Sequence, residues 1–180
     1  MKVIDINCYI GQWPFRKLRR NTIGDLKHIH AESGIEYGYV SFLNSIFYND
    51  PFEGEDELHE VISGTPYRHI MTINPLLPEW KRDIDRGLKE MDIKGVKIFP
   101  GCHGYSLQDE AADRLCGVLE SRGLPLFIVV RMEDGPLDYL TKQRQLSTEE
   151  ICGLIRRHEA NAIILIGMNK AEFTNCGEAV

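Results

Sequence analysis

The sequence predicts a parallel α/β protein of about six strand–helix units, for two reasons. Apolar runs of strand length alternate strictly with amphipathic segments of helical period along the chain. Each strand–helix pair takes about thirty residues, which is the length of a βαβ repeat. Units of this kind form either a doubly wound sheet or a (β/α) barrel. A full barrel needs eight units and about 250 residues, so a barrel of 180 residues would be incomplete. We expect a single domain over residues 1–180.

The first strand is predicted at residues 2–10, where apolar and polar side chains alternate. The alternation predicts an outer face covered by helices and a polar inner face, although an exposed antiparallel strand would show the same pattern. The outer face comprises Ile4, Ile6, Cys8 and Ile10, and the inner face comprises Asp5, Asn7 and Tyr9. In the loop that follows, Trp13 and Phe15 either cap the core or form the wall of a pocket.

The next elements are predicted from the same two periodicities, the two-residue alternation of strands and the helical repeat of about 3.6 residues. The sequence Thr22-x-x-Asp25 is typical of a helix cap, and this first helix ends before Gly34. The remaining elements of this half are predicted as a strand at 37–47, a helix around 58–62, a strand at 67–74 and a helix at 80–91.

The second half begins with a strand at residues 94–99, which Pro100 ends because proline cannot donate to a strand ladder. A glycine-containing loop follows. A capping box formed by Ser147 and Glu150 predicts the last helix. The other elements are a helix at 112–122, a strand at 125–131, a loop or poorly formed helix at 135–146, a strand at 162–168 and about one turn of polar residues at the end.

The strand at 94–99 carries the strongest candidate chemistry. Lys97 lies within an apolar run, and a buried ammonium without a partner is costly, so we expect it to face something polar. Gly101 and Gly104 let the chain bend and hold His103 and Tyr105 near the end of the strand. We predict that Lys97 and His103 are catalytic, with His103 as acid/base. The alternative is a surface loop with an ordinary lysine in a structural ion pair.

Other candidates are the polar and aromatic residues that follow strands, because sites of parallel α/β proteins lie at the carboxyl ends of their strands. Arg131 and Glu133 either pair with each other or bind an anion, and Arg16 lies in a basic cluster that is a solvated loop or an anion-binding loop. The predicted substrate-binding residues are Asn7, Tyr9, Trp13, Arg16, Asn74, Tyr105, Arg131 and Glu133.

Five of the six histidines are given no role in the site. His69 lies near the start of its strand, which is the wrong end for a site of this class. The others fall on predicted helix faces away from the strand ends, where solvated or packing roles are expected; they are His28, His30, His59 and His158.

Several function classes are excluded by what the sequence lacks. It contains no GxGxxG after the first strand, no GxxxxGK[ST] and no GxSxG. A net charge of −6 argues against a nucleic-acid partner. No window is long enough to span a membrane, and the start of the chain does not read as a signal peptide. The five scattered cysteines form no CxxC pair, which predicts reduced thiols, no zinc site and a cytoplasmic protein.

With these residues described, the chain resembles the amidohydrolase-related family of metal-dependent hydrolases and decarboxylases. The resemblance runs along all 180 residues, in register with the first six βα units of the family. It is carried by residues 4–11, 95–100, 123–125 and 163–167, and it looks closest to a branch with the loops Gly11–Arg16 and His103–Tyr105.

The resemblance implies an incomplete TIM-type (β/α) barrel whose site lies at its C-terminal mouth. The implied function is a hydrolase-like enzyme acting on a small polar or anionic substrate. The alternative is a catalytically inactive barrel protein that binds a small molecule. We expect the protein to act on a small-molecule substrate and to have no membrane partner.

The resemblance also bears on metal content. It places the metal-ligating histidines of the family at Asn7, Tyr9, Val129 and Gly167, and the last aspartate beyond Val180. A catalytic zinc needs about three nitrogen, sulfur or carboxylate ligands, which these residues do not supply. We therefore expect no metal or other cofactor in the barrel mouth, with zinc disfavoured.

A barrel of six units would leave its first and last strands without neighbours. Long apolar edge strands pair readily with other chains. We expect a homo-oligomer, unless the sequence is a fragment of a longer protein.

Overall fold

The computed structural model describes residues 2–132 and 144–179. Strands and helices alternate along these residues, and the ladders between β1 and β2, β2 and β3, β5 and β6, and β6 and β7 are parallel. A 3₁₀ turn follows the second strand at Asn44–Ile46, and a π turn extends the third helix at Gly87–Met91. The strands are β1 (Val3–Ile10), β2 (Ile35–Phe42), β3 (Arg68–His69), β4 (Met71–Thr72), β5 (Val96–Ile98), β6 (Leu126–Val129) and β7 (Ile163–Ile166). The helices are α1 (Ile23–Ser33), α2 (Pro51–Ile62), α3 (Trp80–Arg86), α4 (Pro100–His103), α5 (Glu110–Arg122), α6 (Thr148–Arg157) and α7 (Lys170–Ala179).

The described residues form two compact units. The first comprises the residues up to Ile73 together with Lys81–Gly95. Its parallel sheet has the order β1-β2-β3, with Cys8 opposite Val40 and Val40 opposite His69. Side chains of this sheet pack against α1 and α2 in a core of Cys8, Ile10, Leu26, Val40, Phe42, Leu58, Ile62 and Tyr67.

The predicted alternation along β1 holds for only part of the strand. Cys8 and Ile10 are buried as expected, but Ile4 and Ile6 are 39% and 51% exposed. The ladder with β2 shifts register between Asp5 and Cys8, so the two-residue period is broken there. Asp5 was predicted on the inner face, but its carboxylate instead lies 3.4 Å from the imidazole of His30 on α1.

The second unit comprises Asn74–Trp80 and the residues from Val96 onward. In its parallel strands Val96 lies opposite Leu126, Lys97 opposite Phe127 and Ile98 opposite Ile128. Because side chains alternate, Lys97 and Phe127 share one face of this ladder, and the four fully buried aliphatic side chains Val96, Ile98, Leu126 and Ile128 share the other.

Both helix caps predicted from the sequence are confirmed. The Thr22 hydroxyl accepts from the Asp25 amide at 3.1 Å, and the Asp25 carboxylate accepts from the Thr22 amide at 3.1 Å. The same reciprocal arrangement joins Ser147 and Glu150 at the start of α6. These boundaries are predictable because a cap depends only on residues within one turn of each other.

Several predicted elements differ from the structure. The strand expected at 67–74 is interrupted and forms the two short strands β3 and β4. The strand expected at 37–47 covers Ile35–Phe42 and gives way to the 3₁₀ turn. The loop expected after Pro100 begins as the short helix α4, because the fixed φ of proline suits the first position of a helix. The end of the chain was expected as one polar turn, but it forms the ten-residue helix α7.

Asn169 and Glu172 explain the start of α7. The Asn169 side chain accepts from the Glu172 amide at 2.9 Å, and the Glu172 carboxylate accepts from the Asn169 amide at 2.8 Å. This Asn-x-x-Glu pair is the sequence signal that the prediction overlooked. Among the described residues no helix has both the length and the apolar content to cross a bilayer.

Candidate functional site

Lys97 is the most unusual side chain of the second unit because it is charged and fully buried. It has no exposed surface, and its ammonium nitrogen lies 5.7 Å from the centre of the Phe127 ring on the neighbouring strand. An ammonium near an aromatic face gains a cation–π interaction, which partly offsets the loss of water. Strand β5 therefore places the Lys97 amine on the face that also carries Phe127.

His103 and Tyr105 follow this strand as predicted. Their rings are stacked, with centroids 6.5 Å apart and 20° between the ring planes. The His103 ring also packs edge to face with Phe99, with centroids 6.3 Å apart. Gly104 has φ +73° and ends α4, which turns the chain between the two rings. Because Phe99 lies two residues after Lys97, the strand period directs both toward the same side.

Gly101 has a different role from the bend predicted for it. A Cβ atom at Gly101 would lie 2.8 Å from the Arg144 carbonyl oxygen, and the Arg144 amide donates to the Gly101 carbonyl at 3.1 Å. The missing side chain thus allows another segment of the same unit to approach the backbone of α4.

The Tyr105 hydroxyl is buried and has hydrogen-bonding capacity that no described residue uses. Tyr105 is 2% exposed, and its oxygen has no hydrogen-bond partner among the described residues. Burial, and to a smaller extent the neighbouring Cys116 thiol, raise the pKa of Tyr105 well above its ordinary value. The phenol therefore stays protonated and is able to donate a hydrogen bond to a ligand.

Arg131 is bound by a partner that the sequence did not indicate. Its guanidinium donates to Glu172 at 2.6 Å and to the Gly167 carbonyl at 3.1 Å. Hydrogen bonds from Arg131 lower the pKa of the Glu172 carboxyl below its usual value. Glu133, the other predicted partner, lies outside the described residues.

Asn74 has a local structural role in addition to any predicted one. Its side-chain oxygen accepts from the Leu76 amide at 3.1 Å, and its carbonyl accepts from the Leu77 amide at 3.1 Å. This is an Asx turn, which fixes the backbone of the loop.

The aromatic loop after β1 forms a cluster in the first unit. The rings of Trp13, Phe15 and Phe47 meet edge to face with centroids 5.3–5.6 Å apart. Trp13 is 5% exposed, and its indole nitrogen has no hydrogen-bond partner among the described residues. The loop starts at Gly11, whose φ of +101° favours glycine, and the Asn44 side chain accepts from the Gln12 amide at 2.7 Å.

The other predicted residues of the first unit are less enclosed. Asn7 and Tyr9 are half-buried, and Arg16 is exposed. The Asn7 amide donates to the Asp5 carboxylate at 2.9 Å, a contact that accompanies the irregularity of β1.

The residues at the positions of the family's metal ligands do not fit a metal. Val129 has no donor atom and is buried at the end of β6. Gly167 has φ +79°, and a Cβ atom there would collide with the Arg131 carbonyl oxygen, so no histidine could replace it without moving the backbone. We therefore derive no step of a reaction through a metal at these positions.

Sequence reasoning missed a polar cluster on the side of β1 that faces α1. His30 is buried, its Nε2 lies 3.8 Å from the Cys8 sulfur and 3.4 Å from the Asp5 carboxylate, and its Nδ1 lies 3.1 Å from the Tyr67 hydroxyl. A sequence signal did exist, because Leu26 and His30 lie one turn apart on α1 and Leu26 belongs to the core. The contact of Asp5 with His30 could not be predicted from the alternation of polar and apolar residues along β1.

A second buried pair also joins strand and helix in this unit. Glu55 on α2 and His69 on β3 lie 2.6 Å apart, and the second oxygen of Glu55 accepts from the Thr72 amide at 3.1 Å. Both side chains are almost completely buried. The pair attaches α2 to the sheet, and His69 is a residue for which no role in the site was predicted.

Solved structures with similar folds were found, whereas no family model and no curated protein sequence matches the chain. An uncharacterised TIM-barrel protein from Bordetella bronchiseptica matches with a TM-score of 0.70 and 15% identity, over 99% of this chain and 71% of that one. 5-Carboxyvanillate decarboxylase from Novosphingobium aromaticivorans, complexed with manganese, matches with a TM-score of 0.68 and 15% identity, over 91% of this chain and 64% of that one.

Dihydroorotase from Campylobacter jejuni matches with a TM-score of 0.60 and 9% identity, over 97% of this chain and 50% of that one. This chain thus spans between half and about seven tenths of the length of these proteins. Identities this low establish the fold, and the predicted partial α/β TIM-type barrel is confirmed. The amidohydrolases, decarboxylases and dihydroorotase among these neighbours are members of the amidohydrolase superfamily.

Proposed function

We propose that this chain is an amidohydrolase-type enzyme of a divergent branch, acting on a small anionic substrate at the carboxyl ends of its strands. The fully buried amine of Lys97 carries the proposal, together with the buried Tyr105 hydroxyl that follows the same strand. The hydroxyl has no hydrogen-bond partner among the described residues, and both groups are donors that an anionic group of a substrate could engage. The fold shared with amidohydrolase-type enzymes and a decarboxylase supports this class of reaction.

Each residue of the second unit has a separate role in this proposal. Lys97 attracts a carboxylate or polarises a carbonyl oxygen of the substrate. His103 moves a proton to or from water or the substrate, which is worth about 10²- to 10⁴-fold in rate. Tyr105 donates a hydrogen bond from its protonated hydroxyl. Arg131 contributes only when a ligand displaces Glu172.

The predicted substrate contacts of the first unit remain part of the proposal. Trp13 is the best supported of them, because its buried indole N–H could donate to an acceptor atom of a ligand. Asn7, Tyr9 and Arg16 are assigned to substrate binding from the sequence, as is Asn74 in the second unit. The reaction is proposed to need no metal at the strand ends, because the donor atoms there do not suit one.

The alternative function is a barrel protein that binds a small molecule without turning it over. One observation favours it: Arg131, the guanidinium best placed after β6, is already paired with Glu172. Both functions predict ligand binding that depends on Lys97, and they differ only in turnover.

The test is to measure binding and turnover with the same variants. The binding probe is 4-hydroxy-3-methoxy-5-nitrobenzoic acid, the ligand of the similar decarboxylase, followed by calorimetry. Turnover is assayed with 5-carboxyvanillate and with small amides, esters and lactones that carry a carboxylate. We expect Lys97→Met to weaken binding at least tenfold and His103→Gln to lower kcat by about 10²-fold or more.

The matched control is Lys94→Met, three residues earlier on the same segment, where the lysine is partly exposed and paired with Asp92. This variant should bind and react like the parent protein. Binding without turnover of any compound would favour the alternative function. Failure to bind any carboxylate, or binding that is unchanged in Lys97→Met, would reject both.

A further inference from the structure

We infer that Asp5, Cys8 and His30 form a binding site for zinc between β1 and α1. Among the described residues, these three side chains are the only group of three or more potential metal ligands whose ligand atoms all lie within 4.8 Å of one another. They belong to the first unit, whereas Lys97 and His103 belong to the second.

The spacing of the donor atoms suits tetrahedral zinc. The Cys8 sulfur and His30 Nε2 are 3.8 Å apart, and His30 Nε2 and the nearer Asp5 oxygen are 3.4 Å apart. Zinc–sulfur bonds of about 2.3 Å and zinc–nitrogen or zinc–oxygen bonds of about 2.0–2.1 Å place such atoms about 3.4–3.6 Å apart at tetrahedral angles. The Cys8–His30 and His30–Asp5 distances are within a few tenths of an ångström of these values, and the Cys8 sulfur lies within 4.8 Å of the Asp5 carboxylate oxygen.

The types of donor also select the metal. Thiolate, imidazole and carboxylate together are typical zinc ligands, whereas calcium and magnesium prefer oxygen alone. On binding, a zinc–sulfur bond replaces the S–H bond of Cys8, and the thiol proton passes to solvent. Three protein ligands leave one tetrahedral position for a water molecule.

Tyr67 holds the histidine in the orientation that a metal needs. Its hydroxyl oxygen lies 3.1 Å from His30 Nδ1, on the far side of the imidazole from Cys8 and Asp5. With the proton on Nδ1 donated to Tyr67, the Nε2 lone pair points at the other two ligands. Metal-binding histidines almost always have such an outer hydrogen bond, and its loss typically weakens binding 10- to 100-fold.

Gly38 on β2 provides the space for this cluster. A Cβ atom at this position would overlap the Cys8 sulfur and would lie 3.0 Å from His30 Cε1 and 3.1 Å from the Asp5 carbonyl oxygen. Any other residue would push the ligands apart. Access is from the side of Asp5, whose side chain is 35% exposed while Cys8 and His30 are each 3% exposed.

The test uses the full chain, stripped of metal with a chelator and titrated with Co²⁺ alone. We expect a thiolate-to-cobalt charge-transfer band and the strong visible bands of tetrahedral cobalt, saturating at one equivalent and reversed by Zn²⁺. Cys8→Ser should abolish the charge-transfer band. Asp5→Asn should weaken binding, and Tyr67→Phe should weaken it by about 10- to 100-fold.

Two controls address three of the four other thiols. Cys116→Ser removes a buried cysteine of α5, and the double variant Cys152→Ser/Cys176→Ser removes a close thiol pair; both should keep the band. Absence of a charge-transfer band in the parent protein, or a band that persists in Cys8→Ser, would overturn the assignment. Should Cys8→Ser fail to fold, Asp5→Asn decides the matter, because Zn²⁺ should raise the melting temperature of the parent protein and have less effect on that variant.

Discussion

Glu150 shows how a few hydrogen bonds determine the charge of a buried carboxyl. The Arg144 guanidinium donates to it at 2.6 Å, the Ser147 amide donates at 3.1 Å, and the Ser106 hydroxyl donates to the same oxygen as Arg144. Burial alone would raise the pKa of this carboxyl, but these donors outweigh burial and lower it from 4.5 to about 2. The charged form is therefore favoured by folding.

We predict that Glu150→Gln destabilises the protein and makes its free energy of unfolding depend less on pH in the acid range. A carboxyl whose folded pKa lies below its unfolded pKa stabilises the fold above pH 4.5, and this contribution disappears as the pH falls toward 2. The loss should be on the order of 2 kcal/mol at neutral pH. Urea unfolding at a series of pH values measures it, with exposed Glu149→Gln as the control. Parallel pH profiles for the parent protein and Glu150→Gln would contradict the prediction.

Gly167 is the residue at which backbone shape most restricts the sequence. Its φ is +79°, and the Arg131 backbone occupies the space of a side chain. Gly167→Ala should destabilise the protein by about 2 kcal/mol or more, seen as a lower melting temperature. Gly117→Ala in α5 is the control, because a Cβ there meets nothing and alanine favours helix. Equal melting temperatures for Gly167→Ala and the parent would disprove this.

At the scale of elements, α6 and α7 are joined through two cysteines. The sulfurs of Cys152 and Cys176 lie 2.8 Å apart, and burial first, then Cys152, raise the pKa of Cys176 to about 11. None of the five cysteines, all of which are described, forms a disulfide. The thiols are close enough that a bond of about 2.05 Å needs little movement of either helix.

We predict that diamide oxidises this pair to a disulfide. Two thiols lose two protons and two electrons to diamide, and the bond closes a loop between residues 24 positions apart. Loop closure of this size is worth about 3 kcal/mol, so the oxidised protein should melt at a higher temperature. Mass spectrometry should find the Cys152–Cys176 link, and Cys152→Ser should show no such gain. A link through Cys102 instead would refute the prediction.

The elements that sequence predicted well are those fixed by neighbouring residues. The caps at Thr22 and Ser147 and the glycine after α1 lie within one helical turn of what they bind, so the sequence displays both partners. Asp5 could not be placed, because its contact with His30 depends on a register shift in the ladder with β2. Glu172 could not be assigned to Arg131, because 41 residues separate them.

At the scale of the whole molecule, the proposed self-association concerns the edge strands. β1 is the outermost strand of its sheet and exposes Val3, Ile4 and Ile6, and β7 is the last strand of the other sheet, with all four residues half-buried. An open groove of about 480 Å³ lies beside β7 and includes Ile163, Leu165 and Phe173. Edges of this kind invite pairing with another chain.

We predict that Ile6→Lys lowers the oligomeric state, because a lysine on an edge strand opposes strand pairing. Sedimentation velocity over a range of concentrations measures the change. Val61→Lys on α2 is the matched control, since Val61 is similarly exposed, at 43%, but lies on a helix. A parent protein that sediments as a monomer at all concentrations would contradict the proposal.

The pairing of Arg131 with Glu172 also has a consequence for ligand recognition. Glu172 lies in the first turn of α7, so it acts as a tethered anion that competes with any carboxylate arriving from solution. A group held by a short connection has an effective concentration on the order of millimolar or above. A ligand that reaches Arg131 must outcompete it, and in doing so removes the carboxylate that caps α7 through Asn169. A substrate that displaces Glu172 from Arg131 should therefore also increase the fraying of α7.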